Sequence, residues 1–339
     1  MMPPLFIFAH GICCAIGHHA AAAVPALRAR MNHFRETEFI DESGMPLVGA
    51  SLYDVEVWGE ARQRLMFDAI LNECSKKLPA ANNNTDTAIL LLSAEGGREG
   101  PYQHWAQRML ADVVMTEKFH PASRALPLGK AGIGTALTMA HALLHSTQAP
   151  TYIIVAGVDT WLDAASVEAM LAQERLATTA NSDGFIPGEA GAAVIVCLAQ
   201  SGQTGLLIEG IGEAQESALI GSEEPNRAVG LTAAVRRAAQ DANCQVADLN
   251  FHASGASGES WYFNEIGLML ARALEKRVAS FSHQIVSQFV GEVGAASGPL
   301  VLAWMSQVMG RADGPGQRGL AHFSNDDGRR SALILRYNK

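Results

Sequence analysis

Residues 151–193 constrain the fold of this chain more than any other stretch. They begin with an apolar run at residues 152–156, turn at Gly157-Val158-Asp159, and end in a segment of small residues at positions 183–193. A second apolar run follows at residues 194–198. Short apolar runs bounded by glycine and proline predict buried strands, and the residues between the two runs predict a helix. The stretch therefore predicts a compact α/β unit.

Two carboxylates, Asp183 and Glu189, lie in this otherwise small and apolar context. The neighbouring Gly184, Gly188 and Gly191 permit close backbone approaches that a Cβ would block. We therefore expect the two carboxylates to hold turns by accepting hydrogen bonds from backbone N–H groups.

The order of these residues resembles that of the β-ketoacyl synthases, which have the thiolase fold. Those sequences carry G-G-V-D or G-G-V-E, a helix, D-G-F-x-x-G-E-G-A-G or a close variant, and then an apolar strand. This chain has AGVD at residues 156–159 and DGFIPGEAG at residues 183–191. The resemblance implies an α/β protein with the duplicated, five-layered α/β/α/β/α thiolase fold. It also implies an N-terminal half over residues 1–200 and a C-terminal half over residues 201–339.

The rest of the chain has a pattern that fits such a fold. Apolar spacing and glycine or proline breaks predict helices at residues 20–31, 61–77, 101–120, 130–145, 231–242, 260–274 and 291–309. The same criteria predict strands at residues 5–9, 87–92, 206–210, 249–253 and 332–337. Residues 38–53 are predicted to be an irregular loop. The helices at 130–145 and 291–309 consist of small residues, so we expect them to be the two closely packed central helices.

The composition is that of a folded globular protein. Of 339 residues, 48% are apolar and 17% are charged, and no run of eighteen apolar residues predicts a membrane span. The first 29 residues are rich in alanine but lack a basic segment and are interrupted by glycines and histidines, so a strand, turn and helix are predicted there rather than a signal peptide. Five cysteines without a disulfide spacing indicate reduced thiols and a cytoplasmic protein.

A net charge of −9 argues against a nucleic-acid partner, which requires a basic face. An acyl carrier protein is itself acidic, so it is expected as a partner only where this chain has a local basic patch. Arg28, Arg30 and Arg35, or Arg62 and Arg64, are candidates for that patch; the alternative is that these charges are scattered over the surface.

The resemblance also implies where catalytic groups are expected. Ketosynthases use a cysteine thiolate at the N-terminus of the first central helix, two histidines, and backbone amides that form an oxyanion hole. In this chain the cysteine position is Gly129, and the first histidine position is Ser254, with Glu265 at the family's spacing beyond it. The family's lysine and second histidine correspond to Ser287 and Glu292.

The C-terminal G-F-G-G-T-N turn of the family aligns with NDDGRR at residues 325–330, which keeps only Gly328. None of the cysteines precedes a small-residue helix in the expected half; they are Cys13, Cys14, Cys74, Cys197 and Cys244. The resemblance therefore implies that the ketosynthase fold is retained and that an acyl-enzyme does not form.

The resemblance implies a pocket where the catalytic groups of ketosynthases lie. Four polar residues are expected to converge on it, Lys130, Ser254, Ser287 and Glu292, and Phe185 and Asp326 are expected to complete its lining. A Ser–Lys or Ser–Glu arrangement in that pocket is one interpretation, because such pairs hydrolyse esters. The interpretation that we favour is a vestigial cavity, in which Glu292 caps the N-terminus of its helix. His141 and His145 lie one helical turn apart, but with no further ligand nearby they predict a structural role rather than a metal site.

Three functional hypotheses follow. The first is a degenerate, non-catalytic ketosynthase homologue that acts as a partner or scaffold subunit, in the manner of a chain-length factor, in fatty acid or polyketide synthesis. It would be a homodimer, or a heterodimer with another ketosynthase-like chain, paired through an edge strand. The second is an active acyltransferase or condensing enzyme with relocated catalytic residues. The third is an adaptor outside lipid synthesis, for example one linked to bacterial secretion effectors. No phosphate loop, metal set or nucleotide fingerprint is present in the sequence, so no cofactor is predicted.

Overall fold

The computed structural model describes residues 3–80, 82–100 and 104–339. Its strands are β1 (Leu5–Cys14), β2 (Arg35–Ile40), β3 (Pro46–Gly49), β4 (Thr87–Leu92), β5 (Arg124–Leu126), β6 (Tyr152–Thr160), β7 (Glu189–Leu198), β8 (Gly205–Gln215), β9 (Phe251–Ser254), β10 (Ser282–Ile285), β11 (Arg318–Ser324) and β12 (Arg329–Asn338). Its α-helices are α1 (Ala20–Arg28), α2 (Gly59–Ser75), α3 (Trp105–Glu117), α4 (Gly132–Leu144), α5 (Ala164–Ala172), α6 (Val229–Asp241), α7 (Ser260–Ala273), α8 (Ser287–Val290) and α9 (Ser297–Val308).

Ten of the strands follow one another in the order β10-β9-β11-β12-β8-β1-β7-β6-β4-β5. Each group of five, read from its edge inward, has two parallel pairings followed by two antiparallel ones. The groups meet where Leu5 and Phe6 of β1 pair with β8. The chain therefore contains the same five-stranded arrangement twice, and the predicted boundary at residue 200 falls in the connection between β7 and β8.

Successive side chains of a strand point to opposite faces of its sheet and so belong to different layers of the molecule. On β6, Ile153 and Val155 belong to the central core with α4 and α9, whereas Ile154 faces the outer core beneath α2 and α3. On β12, Leu333 faces the central core and Ile334 the outer core beneath α6 and α7. Each of these side chains is fully buried and contributes roughly 1.5–3 kcal/mol to folding. The result is the predicted five-layered α/β/α/β/α architecture.

The two central helices approach each other closely because their contacting residues are small. A Cβ on Gly298 of α9 would lie 2.7 Å from the Cβ of Ile133 on α4. A Cβ on Gly134 would lie 2.8 Å from the Cβ of Ser331 on β12. Larger residues at either glycine would push α4 away from its neighbours, which explains the composition of both helices.

Some element predictions were wrong. Residues 38–53 contain the β2–β3 hairpin rather than a loop, and β1 continues through Gly11 to Cys14. The predicted helix at 291–309 begins only at Ser297, because Gly291 and Gly294 adopt positive φ angles of 68° and 48°. The first residues of the helix predicted at 101–120 lie outside the described residues, and α3 begins at Trp105. Within the described ranges, no helix is both long and apolar enough to cross a bilayer.

Candidate functional site

A sharp turn at Gly129 leads into α4. Its φ is +60°, a left-handed conformation that favours glycine. The Asn325 side chain holds the turn: its Nδ2 donates to the Leu128 carbonyl oxygen at 2.7 Å, and its Oδ1 accepts from the Ala131 N–H at 2.7 Å. A Cβ at Gly129 would lie 2.5 Å from Oε2 of Glu95 and 2.8 Å from Nδ2 of Asn325. The space into which a side chain at Gly129 would project is therefore filled by two other side chains.

Lys130 follows this turn and forms a buried ion pair with Glu292. Its Nζ lies 2.6 Å from Oε2 of Glu292 and donates to the Gly255 carbonyl oxygen at 3.3 Å. Burial by itself lowers the pKa of Lys130, but the Glu292 carboxylate outweighs burial and raises that pKa. Lys130 is therefore a cation at neutral pH and cannot take a proton as a general base.

The other oxygen of Glu292 accepts a hydrogen bond from the Gly294 N–H at 2.8 Å. Gly294 begins the 3₁₀ turn Gly294–Ala296, which runs directly into α9. Glu292 therefore holds the turn that precedes α9, whereas the N-cap of α9 itself is Ala296, which makes no side-chain cap hydrogen bond, so the predicted helix cap is not formed.

Arg98 and Asp159 form a second ion pair at the site. Oδ2 of Asp159 accepts from Nη1 of Arg98 at 2.9 Å and from the Ala295 N–H at 2.8 Å. The guanidinium lies 4.1 Å from the ring centre of Trp161, a cation–π distance. Because Asp159 contacts Ala295 in the 3₁₀ turn before α9 as well as Arg98, it ties the end of β6 to the base of the second central helix.

A third cluster is centred on Arg175. Its guanidinium lies 2.7 Å from Oε1 of Glu259 and 2.5 Å from Oδ2 of Asp326, and Asp326 also accepts a hydrogen bond from the Tyr262 hydroxyl. Burial acts to raise the pKa of Asp326, but the hydrogen bonds and charge of Arg175 lower it overall. Burial and the Asp326 charge raise the pKa of Tyr262 well above its ordinary value. The cluster therefore has an ionised carboxylate and a neutral phenol at neutral pH.

The clusters of Lys130 and Arg175 line one small cavity, whereas Arg98 and Asp159 line a neighbouring cavity of about 150 Å³. The lining residues of the small cavity are Glu95, Lys130, Trp161, Arg175, Phe185, Glu259, Glu292, Gly294 and Asp326. The remaining space is about 10 Å³, enough for about one water molecule. A substrate chain could enter only by displacing paired charged side chains, which costs several kcal/mol for each ion left unpaired.

The structure brings together some of the residues that the sequence placed here and separates others. Lys130, Phe185, Glu292 and Asp326 line the cavity, and Gly129 lies beside it. Ser254 does not: its Oγ lies 2.7 Å from Nε2 of His283. It belongs to the opposite face of the C-terminal sheet, away from the central helices.

Ser287 is also engaged elsewhere, since its Oγ donates to the Ala256 carbonyl oxygen at 2.5 Å. The expected convergence of Ser254 and Ser287 with Lys130 and Glu292 is therefore not present. A Ser–Lys or Ser–Glu pair for ester hydrolysis does not form in this geometry.

Sequence reasoning missed Arg98, Arg175 and Glu259 at this site. Arg98 lies 61 residues from its partner Asp159, and Arg175 lies 84 residues from Glu259. No local motif marks such pairs. Glu95 had a signal, because it precedes Gly96-Gly97 directly after a buried strand.

The two turn carboxylates do accept backbone N–H groups, but from distant segments. Asp183 accepts from the Ser260 N–H at 2.6 Å, and Glu189 accepts from the Leu52 N–H at 2.7 Å. Glu189 also forms a fully buried pair with Arg62. Arg62 therefore does not contribute to a basic surface patch.

The cysteines are buried or partly buried and unpaired. Burial raises the pKa of Cys13, Cys14 and Cys74 to about 12 and that of Cys197 to about 11. Burial also raises the pKa of Cys244. Each is therefore a neutral thiol near pH 7, whereas the reactive form of cysteine is the thiolate.

Among the described residues, the group that could provide three metal ligands is His252, His283 and His322. His141 and His145 are a pair only: their ring centres lie 4.3 Å apart, and Nδ1 of His145 lies 2.8 Å from the His141 carbonyl oxygen. The His145 ring is therefore within hydrogen-bond distance of the backbone of its own helical segment.

No family sequence profile and no curated protein sequence matches this chain. Solved structures do match over its full length. A chain of the AntDE:AntF complex, a type II polyketide acyl-carrier protein with its ketosynthase, is similar with a TM-score of 0.82 at 12% identity, covering 100% of both chains. The fold is the thiolase fold of the ketosynthases.

Two further matches have the same ketosynthase fold. The complex of the ketosynthase ApeO with its chain length factor ApeC, from Xenorhabdus doucetiae, has a TM-score of 0.72 at 13% identity, covering 99% of this chain and 98% of the other. A β-ketoacyl synthase from Burkholderia phymatum has a TM-score of 0.73 at 14% identity, covering 100% of both chains. Identities this low show the shared architecture, and the activity depends on the side chains of this chain's own site.

Proposed function

We propose that this protein is a non-catalytic protein of ketosynthase fold that serves as a partner or scaffold subunit, of the chain-length-factor kind, in fatty acid or polyketide synthesis. The observation that carries the proposal is at Gly129. The position that would bear the nucleophile has no side chain, and Glu95 and Asn325 fill the space where one would project.

The chemistry of the surrounding groups supports the same conclusion. Lys130 is held protonated by Glu292, and burial keeps the cysteines as neutral thiols. Acyl transfer through a covalent intermediate needs a nucleophile activated by a base or by a lowered pKa. Electrostatic stabilisation and substrate binding do not replace the nucleophile, because they only assist formation of an acyl–enzyme bond, and the site has no group that forms it.

The proposed pairing surface is β5. It is the edge strand of the N-terminal group and pairs on one side only, with β4 through Leu90–Arg124 to Leu92–Leu126. An unpaired strand edge presents N–H and C=O groups that a second chain can complete. The ApeO–ApeC complex shows that proteins with this fold associate as a ketosynthase with a chain length factor. We therefore propose a homodimer, or a heterodimer with a ketosynthase-like chain, joined at β5.

An acidic acyl carrier protein is a further proposed partner, because the surface has a groove with more basic than acidic side chains. Arg28, Arg30 and Arg311 line this groove between α1, β10 and α9, together with one carboxylate, Asp313, which pairs with both Arg28 and Arg311. Of the other candidate arginines, Arg64 is paired with Asp68 and Asp112. The groove therefore supports electrostatic docking of an acidic protein despite the net charge of −9.

The direct test is covalent acylation. The purified protein is incubated with acyl-CoA or acyl carrier protein and its intact mass is measured, with an active ketosynthase as the positive control. We expect no added acyl mass on this chain while the control is acylated. A stable acyl adduct on any residue would overturn the non-catalytic assignment.

The choice of partner needs a separate measurement. The protein is isolated with a small epitope tag from the cell that makes it, and co-purifying chains are identified by mass spectrometry. Recovery of a ketosynthase in equal amount supports the subunit role. Recovery of unrelated clients with no ketosynthase or carrier protein would contradict it and favour an adaptor.

A further inference from the structure

Three histidines lie side by side on neighbouring strands at one edge of the sheet. In the register of the parallel pair β10–β9, His283 is directly beside His252, and in the pair β9–β11, His322 is beside Ser254. Residues two apart on a strand face the same side, so His252 and Ser254 share a face. Phe263 of α7 contacts the His283 ring edge-on, with ring centres 6.2 Å apart. The histidines are therefore packed between the C-terminal sheet and α7.

The three rings are close enough to share a ligand. The ring centres of His252 and His283 lie 4.0 Å apart, and Nδ1 of His252 lies 3.1 Å from Nε2 of His322. One nitrogen from each ring lies within 4.8 Å of the other two. We propose that His252, His283 and His322 bind a divalent transition-metal ion of the Zn²⁺ type.

The rearrangement that binding requires is small. With Zn–N distances near 2.1 Å, ligand nitrogens in a tetrahedral site are about 3.4 Å apart. The nitrogens of His252 and His322 are 3.1 Å apart, close to that separation, so His283 has to approach by at most about 1.4 Å. The rings of His252 and His322 lie within 13° of parallel and that of His283 within 17° of His252, so the rings also have to rotate until their nitrogens point at one ion. His283 has the freedom to move, because it is partly exposed and lies on the four-residue edge strand β10. Ser254 Oγ, 2.7 Å from Nε2 of His283, or a water molecule takes the fourth position.

The donor set selects the class of ion. Three imidazoles suit Zn²⁺, Co²⁺, Ni²⁺ and Cu²⁺, whereas Ca²⁺ and Mg²⁺ require oxygen ligands. Burial lowers the pKa of His252 to about 3 and that of His283 to about 4, and it lowers the pKa of His322 well below the ordinary range. All three rings are therefore neutral near pH 7, which is the state that binds metal. One of the two hydrogen-bonded nitrogens of His252 and His322 carries a proton, and that ring adopts its other tautomer when the ion binds.

A bound ion would join β10 to β9 and β11 at the edge of the sheet. His283 also lines the surface groove between α1 and α9, with Gln284 and Trp304 as neighbours. The partly exposed His283 gives an ion access to the two histidines that are buried, His252 and His322. The ion would stabilise an edge strand that pairs on one side only.

The test uses full-length protein without a polyhistidine tag, freed of metal with a chelator and titrated with Co²⁺. We expect one equivalent to bind with the visible ligand-field bands of a tetrahedral, nitrogen-rich site, and Zn²⁺ to displace it. His283→Ala, at the partly exposed edge, should weaken Co²⁺ binding by about a hundredfold while the far-ultraviolet circular dichroism is unchanged. The matched control, His141→Ala with His145→Ala, should leave the bands and affinity unchanged.

Absence of the bands at micromolar Co²⁺ would overturn the proposal. So would equal affinity in His283→Ala, or loss of binding in the His141→Ala, His145→Ala control.

Discussion

At the scale of single residues, Gly129 is the position on which the functional interpretation depends. Its positive φ and the contacts of Glu95 and Asn325 act together against any side chain there. We expect Gly129→Ala to lower the free energy of unfolding by about 2–3 kcal/mol, from backbone strain plus overpacking. Urea denaturation measures the change.

Gly202 is the matched control for that substitution. Its φ is +75°, but no atom lies within 4 Å of where its Cβ would be. Gly202→Ala should therefore cost only about 1 kcal/mol, the backbone part alone. If Gly129→Ala costs no more than Gly202→Ala, the space beside Gly129 is not filled as described. Adding Glu95→Ala to Gly129→Ala should recover part of the loss.

The Lys130–Glu292 pair gives a second residue-scale prediction. Lys130→Met leaves the Glu292 carboxylate buried without its partner, so the free energy of unfolding should fall by about 3 kcal/mol. The double variant Lys130→Met, Glu292→Gln should recover much of that loss, because no charge remains buried. Lys276→Met, which breaks the exposed pair with Asp248, should have no measurable effect. Equal losses in the single and double variants would contradict the buried-charge account.

At the scale of elements, the sequence predicted best the strands that are buried on both faces. The prediction of β4 at Thr87–Leu92 has the observed bounds, since all six of its residues are buried and apolar or small. The hairpin β2–β3 was missed because Arg35–Ile40 is polar and largely exposed. The strands β10 and β11 were missed because their polar residues, including His283 and His322, interrupt the apolar pattern.

The dependence on local sequence pattern also explains which residues of the site were predicted. Gly129, Lys130 and Glu292 lie in motifs with fixed spacing, so a local pattern located them. No metal-binding set is predicted from the sequence, because His252, His283 and His322 are far apart in the chain and come together only through the order of β10, β9 and β11. Pairings of that kind depend on tertiary structure that no window of sequence contains.

The histidine-bearing strands make stability depend on pH. Folding lowers the pKa of His283 from its ordinary value near 6.5 to about 4, so the unfolded chain binds a proton that the folded chain does not. The stability is present above about pH 6.5 and is lost as the pH falls toward 4, by about 1.4 kcal/mol per pH unit for each such histidine.

We therefore expect His283→Gln to reduce the slope of unfolding free energy against pH by about 1 kcal/mol per unit, averaged between about pH 6.5 and pH 5. Urea denaturation in the presence of a chelator measures this slope. His145→Gln, on the exposed face of α4, is the control and should leave it unchanged. An unchanged slope in His283→Gln would show that this histidine is not neutral in the folded protein.

At the scale of the whole molecule, a chain of net charge −9 carries a groove lined by Arg28, Arg30 and Arg311. We expect Arg28→Glu with Arg30→Glu to weaken binding of an acidic acyl carrier protein at least tenfold at low salt, because both charges line the groove. Titration calorimetry measures the affinity. Arg64→Glu is the control, since Arg64 has a similar side-chain exposure, 40% against 39% for Arg28, and lies outside the groove. Equal weakening by all variants would indicate a general charge effect rather than docking at the groove.

The strand order places β5 and β10 at opposite ends of the ten-stranded run. If two chains join at β5, that edge of each sheet is paired and cannot bind a further chain. Each chain then keeps the four-residue strand β10 as its free edge. The assembly would then terminate after two copies unless β10 also recruited a neighbour. Because the free edge of each copy would be β10, growth beyond a closed pair into an extended fibre would require a second kind of contact, made at the histidine-bearing strand.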